Sequence, residues 1–148
     1  MHRRGNVARM TDPLFARVQS SFDRSSMLAT LGARLTRVEP GLVEIRAPIL
    51  PGSRQQQGFA HAGLSFTIGD TAAGYAALTQ AVPGHEILTV EIKINLLAPG
   101  MGDELVATGR VERAGRRVSV VTAEVVALTG GTSKTVALLQ GTMMPVPA

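Results

Sequence analysis

Ala62-Gly63-Leu64-Ser65-Phe66-Thr67-Ile68-Gly69-Asp70-Thr71-Ala72-Ala73-Gly74-Tyr75-Ala76-Ala77-Leu78-Thr79 is a run of eighteen residues with a single charge, that of Asp70. The other side chains are Leu, Phe, Ile, Tyr, Ala, Gly, Ser and Thr. Such a segment reads as a helix buried on most of its surface. Leu64, Ile68, Ala72, Tyr75 and Leu78 fall on one face. Gly63, Thr67, Asp70, Gly74 and Ala77 fall on another, whose small residues let a second backbone come close. The helix runs from about Ala62 to about Gln80, and Pro83-Gly84 ends it.

Four strands follow the helix. Val90, Ile92, Ile94 and Leu96 alternate against Thr89, Glu91, Lys93 and Asn95, which places Glu91 and Lys93 on a solvated sheet face. Residues 104–112 and 118–128 read as strands around a turn at Gly115, and residues 135–144 as the last strand after Gly130-Gly131. Before the helix, residues 12–24 carry Leu14, Phe15, Val18 and Phe22 at helical spacing. Leu35 and Val38 mark one strand, and Val43, Ile45, Ala47 and Ile49 a second, joined at Pro40-Gly41. A polar loop spans residues 51–58. The pattern is α+β: one long helix inside a mainly antiparallel sheet.

The 148 residues suit one domain, expected over residues 12–148, with residues 1–11 a flexible arm. With no cysteine, the chain has no disulfide, no cysteine-ligated metal and no cysteine nucleophile. The net charge of +4 comes from thirteen Arg and two Lys against eleven acidic residues, which fits an anionic ligand. Aromatics at 3% are too few for base stacking, so nucleic acid is not an expected partner. Asp70 in mid-helix argues against a membrane span. Met1 to Met10 is basic without the apolar core of a signal peptide, so the expected location is cytoplasmic. His2 and His85 read as surface residues.

Asp70 and His61 carry the chemistry. A lone carboxylate on an apolar helix is costly to bury, and its pKa rises unless donors solvate it. Either it serves a site, or it lies at a solvated gap or caps a neighbour. His61 precedes the helix and reads as an N-terminal cap, but the free N–H groups at Ala62 and Gly63 also suit a polarised carbonyl. Asp70 lies nine residues past His61, roughly 13 Å along the axis at 1.5 Å per residue. Both can act on one atom only if a second subunit supplies one of them.

Gln55-Gln56-Gln57-Gly58-Phe59-Ala60-His61-Ala62-Gly63, followed by Asp70-Thr71-Ala72-Ala73-Gly74-Tyr75-Ala76-Ala77, resembles the signature of the PaaI-type (phenylacetic-acid-degradation-type) hotdog thioesterases. That signature is a polar amide residue, a Gly, His-Gly-Gly, and an acidic residue nine positions after the His. Thr89 to Leu97 with Ala98-Pro99-Gly100, and the closing strands, extend the resemblance over roughly residues 25–145. It implies a hotdog fold, with a six-stranded sheet wrapped around the helix, and hydrolysis of acyl-CoA to acid and CoA. Asp70 becomes the general base for water or the nucleophile. Gln55 positions water or substrate, His61 holds the thioester end, and the N–H of Ala62, with that of Gly63, polarises the carbonyl. Thr89 matches a Ser or Thr position that assists hydrolysis. Asp70 comes from the subunit opposite His61, in a homo-oligomer that is a dimer or a dimer of dimers, a homotetramer. No cofactor or metal is implied, coenzyme A being part of the substrate. Ala62 departs from the family by replacing the first Gly, which keeps the donor but adds a methyl.

Arg113, Arg116 and Arg117 cluster at a strand turn, where they suit the phosphates of CoA or simply face solvent. A non-catalytic acyl-CoA binder on the same fold is the alternative function. A hotdog hydratase lacks its motif here, and a purely structural module leaves Asp70 unexplained.

Overall fold

A computed structural model describes residues 12–148; the expected arm at residues 1–11, and His2 with it, lies outside the described residues. Helix α1 spans Pro13–Asp23. Its start is set by Pro13 in the first turn and by Asp12, whose side chain accepts the Leu14 N–H at 3.0 Å. Val18 and Phe22 are its buried stripe. A short helix that the sequence reading did not anticipate, α2 (Ser26–Thr30), follows and buries Leu28.

Strands β1 (Arg34–Glu39) and β2 (Leu42–Pro48) form a hairpin whose turn residue Gly41 takes φ +73°. A 3₁₀ turn at Pro51–Ser53 leads into helix α3, Ala62–Leu78. Strands β3 (His85–Leu96), β4 (Glu104–Ala114), β5 (Ser119–Thr129) and β6 (Thr132–Pro147) complete the chain. The six strands form one antiparallel sheet in the order β1-β2-β4-β5-β6-β3. This is the α+β hotdog architecture: the sheet wraps α3, which packs on β4, β2, β5, β3 and β6.

Ile68, Leu78, Ile45, Leu105, Val121, Val125 and Met143 are all buried to within 1% around this helix. Burial of each such side chain contributes about 1.5–3 kcal/mol. The helix can sit this low on the sheet because glycine stands at its closest backbone contact. A Cβ on Gly109 of β4 would stand 2.2 Å from the carbonyl carbon of Ala72 and 2.3 Å from the Ala73 nitrogen. The close backbone approach foreseen for the helix thus occurs at Ala72-Ala73, on its fully buried side. The Gly63-Thr67-Asp70-Gly74 face stays exposed or half-buried in the single chain. At the far end Thr79 Oγ1 accepts the Gly41 N–H at 2.8 Å and donates to Ala76 O at 2.6 Å, pinning the β1–β2 turn to the helix end.

The sequence reading placed β3 from Thr89; it begins at His85 and pairs with β6 from His85↔Pro147. His85 is half-buried rather than on the surface, and its Nδ1 has no hydrogen-bond partner among the described residues. Arg17 of α1 donates to the carbonyls of Ala81 at 2.9 Å and Val82 at 3.1 Å, tying α1 to the loop between α3 and β3.

Candidate active site

Asp70 lies near the middle of α3 and is half-buried. The Thr89 hydroxyl donates to its Oδ1 at 2.7 Å and also lies 3.3 Å from Met143 Sδ. Among the described residues no other hydrogen bond reaches the carboxylate, so Oδ2 is free. Burial pushes the Asp70 carboxyl above its ordinary pKa, and the Thr89 hydrogen bond opposes that rise.

Thr89 reaches Asp70 because β3 changes face. The register of β3 against β6 slips between Thr89 and Glu91, so Val90 is an extra residue in the strand. Beyond the bulge Ile92 and Ile94 pack on the core, while Glu91 and Lys93 face out. Before it, Ile87 packs on the core and Thr89 faces the helix. The sequence reading, which had one unbroken alternation, put Thr89 on the face of Glu91 and Lys93 and Val90 with the core. Instead Val90 is 56% exposed.

At the other end of α3, His61 caps the helix: its Nδ1 accepts the Gly63 N–H at 2.8 Å. Nδ1 must therefore be unprotonated, which leaves Nε2–H of a neutral imidazole as a donor. The bond also occupies Gly63, so the two-donor cradle foreseen at Ala62 and Gly63 reduces to one: Ala62 N–H has no acceptor among the described residues. Gln55 is half-buried and engaged within its own loop. Its Oε1 accepts the N–H groups of Gln57 and Phe59, and its Nε2 donates to Gln57 Oε1 at 3.2 Å. This turn holds the loop that delivers His61 to the helix, with His61 N–H on Ser53 O at 2.9 Å.

These residues line three separate recesses of the single chain. Asp70 and Thr89 share a cavity of about 210 Å³ with Tyr75, Ser21 and Glu86. Gln55 and Ala62 border a second, and His61 and Gly63 a third beside Phe66. The single chain therefore does not join Asp70 to His61. Ser21, Tyr75 and Glu86 were not singled out as site residues from sequence. Ser21 is one of two adjacent serines in α1, and only the tertiary packing of that helix brings it to the recess of Asp70. Arg113, Arg116 and Arg117 are all exposed at the β4–β5 turn, and none forms an ion pair among the described residues. Among the described residues no group of three or more His, Cys, Asp or Glu is arranged to hold a metal ion, and no helix is long and apolar enough to cross a membrane.

A hotdog domain with a half-buried carboxylate on its central helix and a free N–H at that helix's start defines a class, and three comparisons agree on it. A thioesterase family protein from Silicibacter pomeroyi superposes with a TM-score of 0.88 at 36% identity, covering 91% of this chain and 99% of its own. A protein of Halobacterium salinarum named as an esterase is 31% identical over 121 residues, which is 78% of this chain and 79% of the relative. The acyl-coenzyme A thioesterase PaaI of Escherichia coli is 26% identical over 133 residues, 89% of this chain and 91% of that protein. Residues 57–134 match the thioesterase superfamily model. The chain belongs to the thioesterase superfamily, in its PaaI-type branch, and is a thioester hydrolase.

Proposed function

We propose that the protein hydrolyses an acyl-CoA thioester to the free acid and CoA at a site assembled from two protomers. The carrying observation is Asp70: the one charge on α3, half-buried, held by Thr89 through Oδ1 and open at Oδ2. As general base, Oδ2 takes a proton from water as the water oxygen adds to the thioester carbonyl. The tetrahedral intermediate then collapses, the C–S bond breaks, and the CoA thiolate leaves and is protonated. As nucleophile, Oδ2 instead forms a mixed anhydride that water cleaves, with the same products. A raised pKa strengthens the carboxylate in either role. Thr89 orients it.

The oxyanion receives the Ala62 N–H, aided by the positive end of the α3 dipole. His61 donates from Nε2 to the thioester end; the Ala62 methyl narrows the substrate's approach, and Gly63, with no side chain, lets the substrate lie against the helix start. Gln55 positions substrate or water at the loop. Arg113, Arg116 and Arg117, on a solvated turn and without an ion pair among the described residues, bind the CoA phosphates. The reaction needs no cofactor, coenzyme A being part of the substrate.

Two observations support the second protomer. Asp70 and His61 open into different recesses. Strand β3 is an edge strand of twelve residues, with Leu88, Val90, Leu96 and the adjoining Leu97 each more than half exposed. A long apolar edge is a template for pairing with another chain. A dimer through β3, alone or doubled into a homotetramer, brings Asp70 of one copy toward His61 of the other. We place this enzyme in the cytoplasm, with residues 12–148 as its single domain.

The test is thiol release from a panel of aliphatic and aryl acyl-CoAs. Asp70→Asn is expected to lower kcat by about 10²–10⁴-fold with folding intact, the usual contribution of a general base. Full turnover in the variant overturns the assignment. Acyl-CoA binding without any turnover by the wild type points to a binding protein instead.

A further inference from the structure

The cavity beside Asp70 is walled by the N-terminal helices. Ser21 and Leu28 line it from α1 and α2, Tyr75 from α3, and Glu86 from the start of β3. The wall is bonded together. Tyr75 Oη donates to Ser21 Oγ at 3.3 Å, Ser21 Oγ donates to Glu86 Oε2 at 3.1 Å, and Arg24 pairs with Glu86 Oε1 at 2.6 Å. The Phe22 ring lies tilted against that of Tyr75, 6.3 Å between centroids. Leu28 is 2% exposed, so apart from the side that lines the cavity it is held by its neighbours.

Of the two arms of an acyl-CoA, the CoA arm must emerge to solvent with its nucleotide, and the acyl arm is the one that ends inside the protein. Of the recesses in the chain, the one lined by Asp70 is within reach of a thioester carbonyl held at that carboxylate. In the single chain the recess measures about 210 Å³ and is open to solvent on one side, so between the carboxylate and this wall there is room for roughly seven methylene-sized groups. A longer alkyl tail has to displace Leu28 or break the Tyr75–Ser21–Glu86 chain, leaving polar groups unpaired against hydrocarbon.

We propose that this wall is the acyl-length stop of the enzyme, with Leu28 and Tyr75 as specificity-determining residues that restrict it to compact acyl groups of about eight carbons or fewer. The inference rests on the reading of Asp70 as the reacting carboxylate.

The experiment measures kcat/KM for saturated acyl-CoAs from four to sixteen carbons, and Kd for non-hydrolysable thioether analogues of the same lengths. Wild type, Leu28→Ala, Tyr75→Ala and Tyr75→Phe are compared, with circular dichroism as the check on folding. Wild-type kcat/KM is expected to fall at least about tenfold beyond eight carbons, since misfit of one methylene is worth that much. Leu28→Ala and Tyr75→Ala move the fall to longer chains, raising the ten-carbon to six-carbon ratio about tenfold or more. Tyr75→Phe keeps the ring but loses its hydrogen bond to Ser21, so it is expected to move the fall less than Tyr75→Ala does. Equal use of six- and sixteen-carbon substrates by the wild type overturns the proposal, as does an unchanged profile in both folded alanine variants. The Kd series separates this inference from the mechanism. A length limit in binding without turnover counts against Asp70 as the reacting group and leaves the wall standing.

Discussion

At the scale of residues, the chemistry turns on how Thr89 and burial act in opposite directions on Asp70. Burial penalises the ionised carboxylate and pushes its pKa up; the Thr89 hydroxyl stabilises the ionised form and pulls it down. Hydrolysis needs the ionised form, so activity falls as pH drops through the Asp70 pKa. Thr89→Val removes the opposing donor and leaves burial alone, so the folded-state pKa rises further. The acid limb of the kcat/KM–pH profile is therefore expected to move to higher pH. Thr89 also orients the carboxylate, so although the base is stronger the variant is expected to lose about tenfold in turnover on the pH plateau. The measurement is the pH profile of both proteins. An acid limb that stays in place in Thr89→Val means that the titrating catalytic group is not the one Thr89 touches.

At the scale of elements, the fold depends on how closely α3 lies on β4. Gly109 meets the backbone of Ala72 and Ala73, and backbone cannot swing aside as a flexible side chain can. Gly109→Ala is expected to lift the helix from the sheet and destabilise the protein by about 3 kcal/mol or more. This would appear as a lowered denaturant midpoint with an unchanged slope. A stability loss below about 0.5 kcal/mol would show that the helix seat is not set by this contact. The helix itself was legible in the sequence, because eighteen residues with one charge leave little choice but burial. The order of turns gave the strands for a similar reason. What could not be read was β3. Val90, Ile92, Ile94 and Leu96 make a clean alternation in the sequence, but a bulge depends on pairing with β6 and leaves no mark in composition. That bulge moves Thr89 to the face of Asp70. The resemblance named Thr89, while the alternation alone left it on the solvated side. Likewise the cap formed by His61 was foreseen, but not that it consumes the Gly63 N–H and leaves Ala62 the free donor.

At the scale of the whole molecule, the separation of Asp70 from His61 along one rigid helix makes the oligomer part of the chemistry. If each site takes Asp70 from one protomer and His61 from the other, a dimer holds two equivalent sites, as two-fold symmetry requires. Asp70→Asn and His61→Ala are then each defective as homodimers. When the two variants are unfolded, mixed in equal amounts and refolded, half of the dimers pair one variant with the other. In such a dimer one site inherits both defects and the other inherits neither. Mixing is therefore expected to restore roughly a quarter of wild-type turnover. A site contained within one protomer gives no such recovery, because every Asp70-intact chain carries the His61 defect and every His61-intact chain lacks the carboxylate. The refolded mixture also separates the β3 edge from other modes of association. Replacing Val90 and Leu88 by Lys places charge on that edge, so it should suppress the dimer and the recovered activity together. Recovery that survives loss of the β3 pairing would place the shared interface elsewhere on the molecule.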